Sequence, residues 1–157
     1  MHPFGRRLNA QHVPLLPSPL RVLIVDDSAF ERRVIHLLLE QTGCFTVAGH
    51  AADGLEGLIK ARELSPDLIT LDLDMPRMDG AEMLRQLRAE SAVPVVVVSA
   101  FPDLVRENVR VQGDSANIEF VTKTISDDAL DLSIFGEELT EKLFRVWQSN
   151  SPDQIGQ

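Results

Sequence analysis

A chain of 157 residues has room for one domain of ordinary size and too little for two substantial ones. Its formal net charge of −9 opposes nonspecific attachment to nucleic acid or anionic membrane, and no apolar stretch approaches the roughly 20 residues of a spanning helix. The single cysteine, Cys44, excludes an internal disulfide and a thiolate zinc site, while a mean hydropathy of −0.01 fits a soluble globular class.

Residues 1–20 contain Pro3, Pro14, Pro17 and Pro19, with Arg6 and Arg7 and no acid. Lacking a continuous apolar core, this segment does not read as a secretory signal and is expected to be a flexible arm on a cytoplasmic protein. From Arg21 onward, short β-branched runs alternate with stretches at helical spacing, the pattern of a parallel α/β sheet. Strands are expected over 21–26, 44–49, 67–72, 94–99 and 117–122. Residues 21–149 then make one domain, and 150–157 a disordered tail.

The first run, Val22-Leu23-Ile24-Val25, delivers Asp26 and Asp27. Ser28 with Glu31 places an N-cap acceptor three residues before a carboxylate, so a helix should run from Ala29 to Gln41 and stop near Gly43. Phe30, Val34 and Leu37/Leu38 are its expected buried face, and His36 reads as structural, with a phosphorelay histidine as the alternative. Cys44 opens the second strand and is expected to be buried.

Asp53 with Glu56 and Asp79 with Glu82 repeat the capping spacing, predicting helices over 54–64 and 80–90. Between them, Leu68-Ile69-Thr70-Leu71 delivers Asp72, with Asp74 beyond it. Pro66 and Pro94 stand where strands begin. The third and fourth strands, the latter with Val95-Val96-Val97-Val98, read as buried on both faces, and the fourth ends at Ser99. A helix over Pro102–Val111 precedes an interruption at Gly113-Asp114-Ser115. The fifth strand carries Phe120 and leads to Lys123. Leu132, Phe135, Leu139, Leu143 and Val146 then mark an extended C-terminal helix that Gly136 bends or divides. That stripe, with Trp147, either caps the core or offers a docking surface or linker.

Two strands ending in acids put Asp26, Asp27, Asp72 and Asp74 at one carboxyl edge, where open α/β sheets keep their sites. So much clustered negative charge calls for a bound cation, and oxygen-only ligands favour Mg²⁺ over zinc or copper. Ser99 and Lys123 reach the same edge. Each residue alone has an ordinary reading as a helix cap, a turn residue or a solvated lysine; four strands ending in complementary groups make the specific one.

The stretches VLIVDDSAFER, DLITLDLDMPRMDG, PVVVVSA and FVTK resemble the receiver domain of two-component response regulators, most closely the receiver of chemotaxis methylesterase regulators. The resemblance covers about 21–124. It implies a flavodoxin-like, doubly wound five-stranded sheet in the order 2-1-3-4-5. It implies Asp72 as the acceptor of a phosphoryl group from a sensor histidine kinase. Mg²⁺ would be held by Asp27 directly and Asp26 through water, with Asp72 and the backbone carbonyl of Asp74 as further ligands. Lys123 and Ser99 would bind phosphoryl oxygens, and Phe120 would act with Ser99 as the switch, an ordinary core phenylalanine being the alternative. Asp74 and Phe101 match rim positions that tune autodephosphorylation, in a direction left open. Thr124 stands where the family has proline, and Gly113-Asp114-Ser115-Ala116-Asn117 replaces a run of small residues, so the fourth helix and its loops are expected to be remodelled.

A phosphorylation-dependent switch acting on a downstream protein or fused output domain follows, with homodimerisation open and neither nucleic acid nor membrane as partner. No G-x-S-x-G element follows Lys123, so turnover of an external substrate is not expected. Two rivals stand beside this reading. One is a receiver-like interaction module independent of phosphorylation, suggested by Thr124 and 113–117. The other is a haloacid-dehalogenase-like phosphohydrolase, suggested by Asp72-Leu73-Asp74, although there the nucleophile pair follows the first strand and here a diacid precedes it.

Overall fold

The computed structural model describes residues 18–73, 75, 77–111 and 117–150. Residues 1–17 of the arm expected over 1–20, Asp74, most of the 113–117 run and residues 151–157 of the tail expected over 150–157 lie outside the described residues, while Leu20 opens a strand and Asn150 closes a helix.

Among the described residues, strands β1 (Leu20–Val25), β2 (Phe45–Ala51), β3 (Leu68–Leu71), β4 (Val95–Ser99) and β5 (Ile118–Thr122) alternate with five helices. The helices are α1 (Ala29–Glu40), α2 (Gly54–Leu64), α3 (Gly80–Glu90), α4 (Pro102–Val111) and α5 (Ala129–Asn150). The strands are all parallel in the order β2-β1-β3-β4-β5. Winding reverses between β1 and β3, and the reversal opens a crevice at their carboxyl ends.

Alternation along the strands divides the core into two layers. Val22, Ile24, Val96, Val98 and Val121 face α1 and α5, meeting Ile35, Leu39, Phe135, Leu139 and Leu143. Leu23, Val25, Ile69, Leu71, Val95 and Val97 face α2 and α3, meeting Leu58, Met83, Leu84 and Leu87. The apolar runs of β3 and β4 are therefore buried on both faces, as their continuity predicts.

The three capping signals work locally. Ser28 Oγ accepts from the Glu31 amide at 3.2 Å, Asp53 Oδ1 from Glu56 at 2.8 Å and Asp79 Oδ1 from Glu82 at 2.8 Å. Each satisfies an amide that the first helical turn leaves without a partner.

Several local expectations need correction. Of the face expected on α1, Leu38 is buried and Val34 packs against the core, but Phe30 and Leu37 are 63% and 49% exposed, and Ile35 and Leu39 are buried in their place. Two apolar stripes compete on this helix, and the choice falls to the one that meets the sheet and α5, where Leu38 packs beside Gly136. Cys44 precedes β2 and is half-buried. Gly136 does not divide α5, which runs unbroken for 22 residues and buries Phe135, Leu139, Leu143 and Val146. Trp147 packs against this layer. The Lys123–Thr124 peptide is trans.

His36 serves structure: its Nδ1 lies 2.8 Å from Nε2 of His50, tying α1 to β2, and its other nitrogen lies 3.3 Å from Glu40. Burial first, then the positive groups of His36, Arg32 and Lys60, hold the His50 pKa below its ordinary 6.5. The folded protein thus binds this proton less readily than the unfolded chain. The His50 contribution is fully present above about pH 6.5 and declines as pH falls through that value. The urea midpoint should drop on acidification from about pH 7.5 to 5.5, and less steeply in His50→Gln. Equal slopes in the two proteins would exclude His50 as the source.

Candidate functional site: an acidic pocket at the carboxyl edge

The central strands carry their acids to one point. The Asp26 amide donates to the Ala51 carbonyl at 3.0 Å and the Asp72 amide to Val25 at 2.9 Å, so both residues extend the strand ladders to the crevice. Asp26 then turns the chain: its Oδ1 accepts from the Ser28 amide at 2.9 Å, and its carbonyl accepts from Arg32 Nη1 at 2.6 Å. Asp27 follows, exposed to solvent. Carboxylate oxygens of Asp26, Asp27 and Asp72 lie within 4.8 Å of one another.

Lys123, just after β5, enters this group from the far side. Its Nζ is 2.9 Å from Asp26 Oδ2 and 3.2 Å from Asp72 Oδ2, and it also pairs with Glu31. Burial works against its ammonium, but the bonds to Glu31 and Asp26 and the charges of Asp26 and Asp72 prevail and raise its pKa. Asp26 shifts upward because burial disfavours its charge more than the Ser28 amide and Lys123 favour it.

Lys123 therefore pairs with three acids, Asp26, Asp72 and Glu31, and Asp27 adds a fourth carboxylate beside Asp26 and Asp72. Asp26 Oδ2 is buried and ion-paired with Lys123, and among the described residues it makes no hydrogen bond of good geometry. Surplus negative charge, all-oxygen donors and an under-satisfied buried oxygen fit a hard divalent cation.

Among the expected site residues, Asp26, Asp27, Asp72 and Lys123 meet. Ser99 reaches the same edge, where its carbonyl accepts from the Lys123 amide at 2.8 Å and its hydroxyl accepts from the Phe101 amide at 3.1 Å. Phe120 is buried in the α2/α3 layer, with the Arg106 guanidinium 5.2 Å from its ring centroid. Asp74, expected to offer its carbonyl, is outside the described residues. Sequence reasoning missed Glu31 as a partner of Lys123. Its position in the first turn after the diacid was the available signal, and the capping role hid it.

The floor of the site depends on Gly80. A Cβ there would lie 2.3 Å from the Asp72 carbonyl oxygen and 2.5 Å from Leu73 Cα, both backbone atoms that cannot yield by rotating. Gly80→Ala should cost about 1–3 kcal/mol in urea unfolding. A loss under about 0.5 kcal/mol would show that the loop relaxes freely.

A doubly wound parallel sheet with three aspartates and a half-buried lysine at its carboxyl edge defines a receiver-type α/β protein. The family model of the response regulator receiver domain matches residues 22–135, and the chain belongs to that family. It is similar to the protein-glutamate methylesterase/protein-glutamine glutaminase 1 of Geobacter sulfurreducens, 42% identical over 127 residues that cover 79% of this chain and 34% of that one. The counterpart from Symbiobacterium thermophilum is 41% identical, covering 80% and 34%. Among solved structures, the response regulator domain of Thermotoga maritima CheB superposes with a TM-score of 0.72 at 34% identity, covering 83% of this chain and 97% of that one. The CheX–CheY–BeF3–Mg complex from Borrelia burgdorferi matches with a TM-score of 0.68 at 26% identity, covering 83% and 90%.

The chain spans about a third of the length of the curated relatives it matches. That corrects the expectation of a non-enzyme, because these relatives carry the names of enzymes. The missing G-x-S-x-G element concerns only the part of their length that the chain covers. As a further finding, no described helix is long and apolar enough to cross a membrane.

Proposed function

We propose that the chain is a phosphorylation-controlled receiver of chemotaxis type, accepting a phosphoryl group on Asp72 from a phosphohistidine of a sensor kinase in the cytoplasm. The observation that carries this reading is Lys123 lying between Asp26 and Asp72 beside Asp27, on strand ends far apart in sequence. A carboxylate oxygen of Asp72 attacks phosphorus, an O–P bond forms, and the P–N bond to imidazole breaks with its electron pair and a proton ending on the ring nitrogen.

Asp26, Asp27 and Asp72 would hold Mg²⁺, with the Asp74 carbonyl as a further ligand, and the ion would neutralise charge on the phosphoryl oxygens. Lys123 supplies a fixed positive charge from the opposite side, and Glu31 and Asp26 keep it protonated and aimed. Ser99 turns its hydroxyl from the Phe101 amide to the new phosphoryl group. Phe120, beneath Arg106, carries that change towards the α4–β5 surface. By likeness to its relatives, the surface governs a protein-glutamate methylesterase or glutaminase activity residing beyond these 157 residues.

Incubation with Mg²⁺ and acetyl phosphate tests the reading by intact-mass spectrometry. One hydroxylamine-labile phosphoryl adduct is expected, and chelation of Mg²⁺ should prevent it. No adduct and no spectral response to beryllofluoride would instead favour the phosphorylation-independent module.

A further inference from the structure

The loop joining β3 to α3 is gripped by a neighbour that the phosphoryl chemistry does not use. Arg77 sits at φ 63, in the left-handed region, which a residue bearing a Cβ occupies only where its surroundings hold it. What holds it is Asp53: Arg77 Nη2 donates to Asp53 Oδ2 at 2.5 Å. The arginine side chain is 75% exposed and the aspartate 3%. The Asp53 carboxyl is kept below its ordinary range by the Glu56 amide, with the Arg77 charge adding to it.

The next residue of each partner repeats the contact through backbone. The Gly54 amide donates to the Met78 carbonyl at 2.9 Å, and a Cβ at Gly54 would stand 2.4 Å from that oxygen. Approach this close requires glycine. The amino terminus of α2 thus holds two successive residues of the segment between Asp72 and the α3 cap, Asp79.

We propose that Arg77 is a positioning residue of the phosphoacceptor loop: through Asp53 it ties the backbone that follows Asp72 to the amino terminus of α2. The proposal rests on the reading of Asp72 as the acceptor. A strained residue on an exposed turn is released unless anchored, and a buried carboxylate already fixed by the α2 cap is a rigid anchor. Arg77 and Met78, which lead from the acceptor strand into the α3 cap, are then held in place before cation or phosphoryl group arrives.

Four variants test it: Arg77→Gly, Arg77→Lys, Asp53→Asn and the double variant Arg77→Gly/Asp53→Asn. The first readout is hydrogen exchange of the Gly54 amide, measured without phosphodonor. The second is labelling by acetyl phosphate, resolved into half-saturating Mg²⁺ and maximal rate. Arg77→Gly and Asp53→Asn should each speed exchange roughly ten-fold and raise half-saturating Mg²⁺ by a similar factor, and the double variant should go no further than either alone. Arg77→Lys should recover part of the loss, because a point charge remains. Asparagine still caps a helix, so a lost cap does not explain an effect of Asp53→Asn.

Arg77→Gly discriminates most sharply. Glycine accepts φ 63 more readily than arginine, so a purely conformational role predicts exchange as slow as in the wild type or slower. That result, or losses that simply add, would overturn the proposal. Labelled wild type with unchanged Gly54 exchange in the variants would remove the clamp and leave the acceptor reading standing. Unlabelled wild type with non-additive exchange losses would remove the acceptor and leave the clamp.

Discussion

Asp72→Asn should take no phosphoryl group from acetyl phosphate under conditions that label the wild type stoichiometrically. An amide oxygen is far less nucleophilic than a carboxylate, and no second described carboxylate has the same setting. Asp26 is locked by the Ser28 amide and Lys123, and Asp27 is exposed. The variant should nevertheless fold. The substitution removes the attraction of Lys123 for Asp72, but also the repulsion of Asp72 by Asp26 and Asp27. Without Mg²⁺ these effects oppose, and the urea midpoint should not fall below that of the wild type. Asp27→Asn separates the roles: its adduct should still form, at higher Mg²⁺. An adduct that persists in Asp72→Asn would sink the assignment of the acceptor. An adduct absent from both, in folded protein, would move the decisive role to the cation.

Phe135→Ala should lose about 3–5 kcal/mol, the range for truncating a fully buried phenylalanine. The ring has no solvent exposure and sits where α5 meets the sheet and α1, in the layer with Ile35, Leu39, Val96 and Val121. A domain of ordinary stability has about 5–15 kcal/mol in total, so the variant stands near the edge of folding. Leu130→Ala is the control. Leu130 is 68% exposed on the same helix, and its loss should stay within about 0.5 kcal/mol. Equal losses at the two positions would show that α5 does not complete the core.

Much of the molecule was legible before any coordinates. Helix starts at Ser28, Asp53 and Asp79 were readable because an N-cap bond spans three residues and needs nothing distant. Strand positions were readable because runs buried on both faces admit few polar residues, and the acids ending them marked the edge. The helix expected over Pro102–Val111 forms as well. The buried face of α1 is only partly legible, because Phe30 and Leu37 fit a helical stripe with Leu38 as well as Ile35 and Leu39 do. Helical periodicity identifies a stripe and says nothing about which neighbour will cover it.

The site divides in the same way. The amino-acid sequence alone determined which residues reach the edge, because strand direction and strand ends are properties of short segments. Asp26, Asp27, Asp72, Ser99 and Lys123 follow from that. Only the tertiary structure decided how they pair. Lys123 lies among Asp26, Asp72 and Glu31, the Ser99 hydroxyl turns to Phe101, and Arg77 reaches Asp53 on another helix. These pairings form between groups dozens of residues apart or at the turning of a loop. Their geometry is set by the packing of whole elements, which no local pattern of residues encodes.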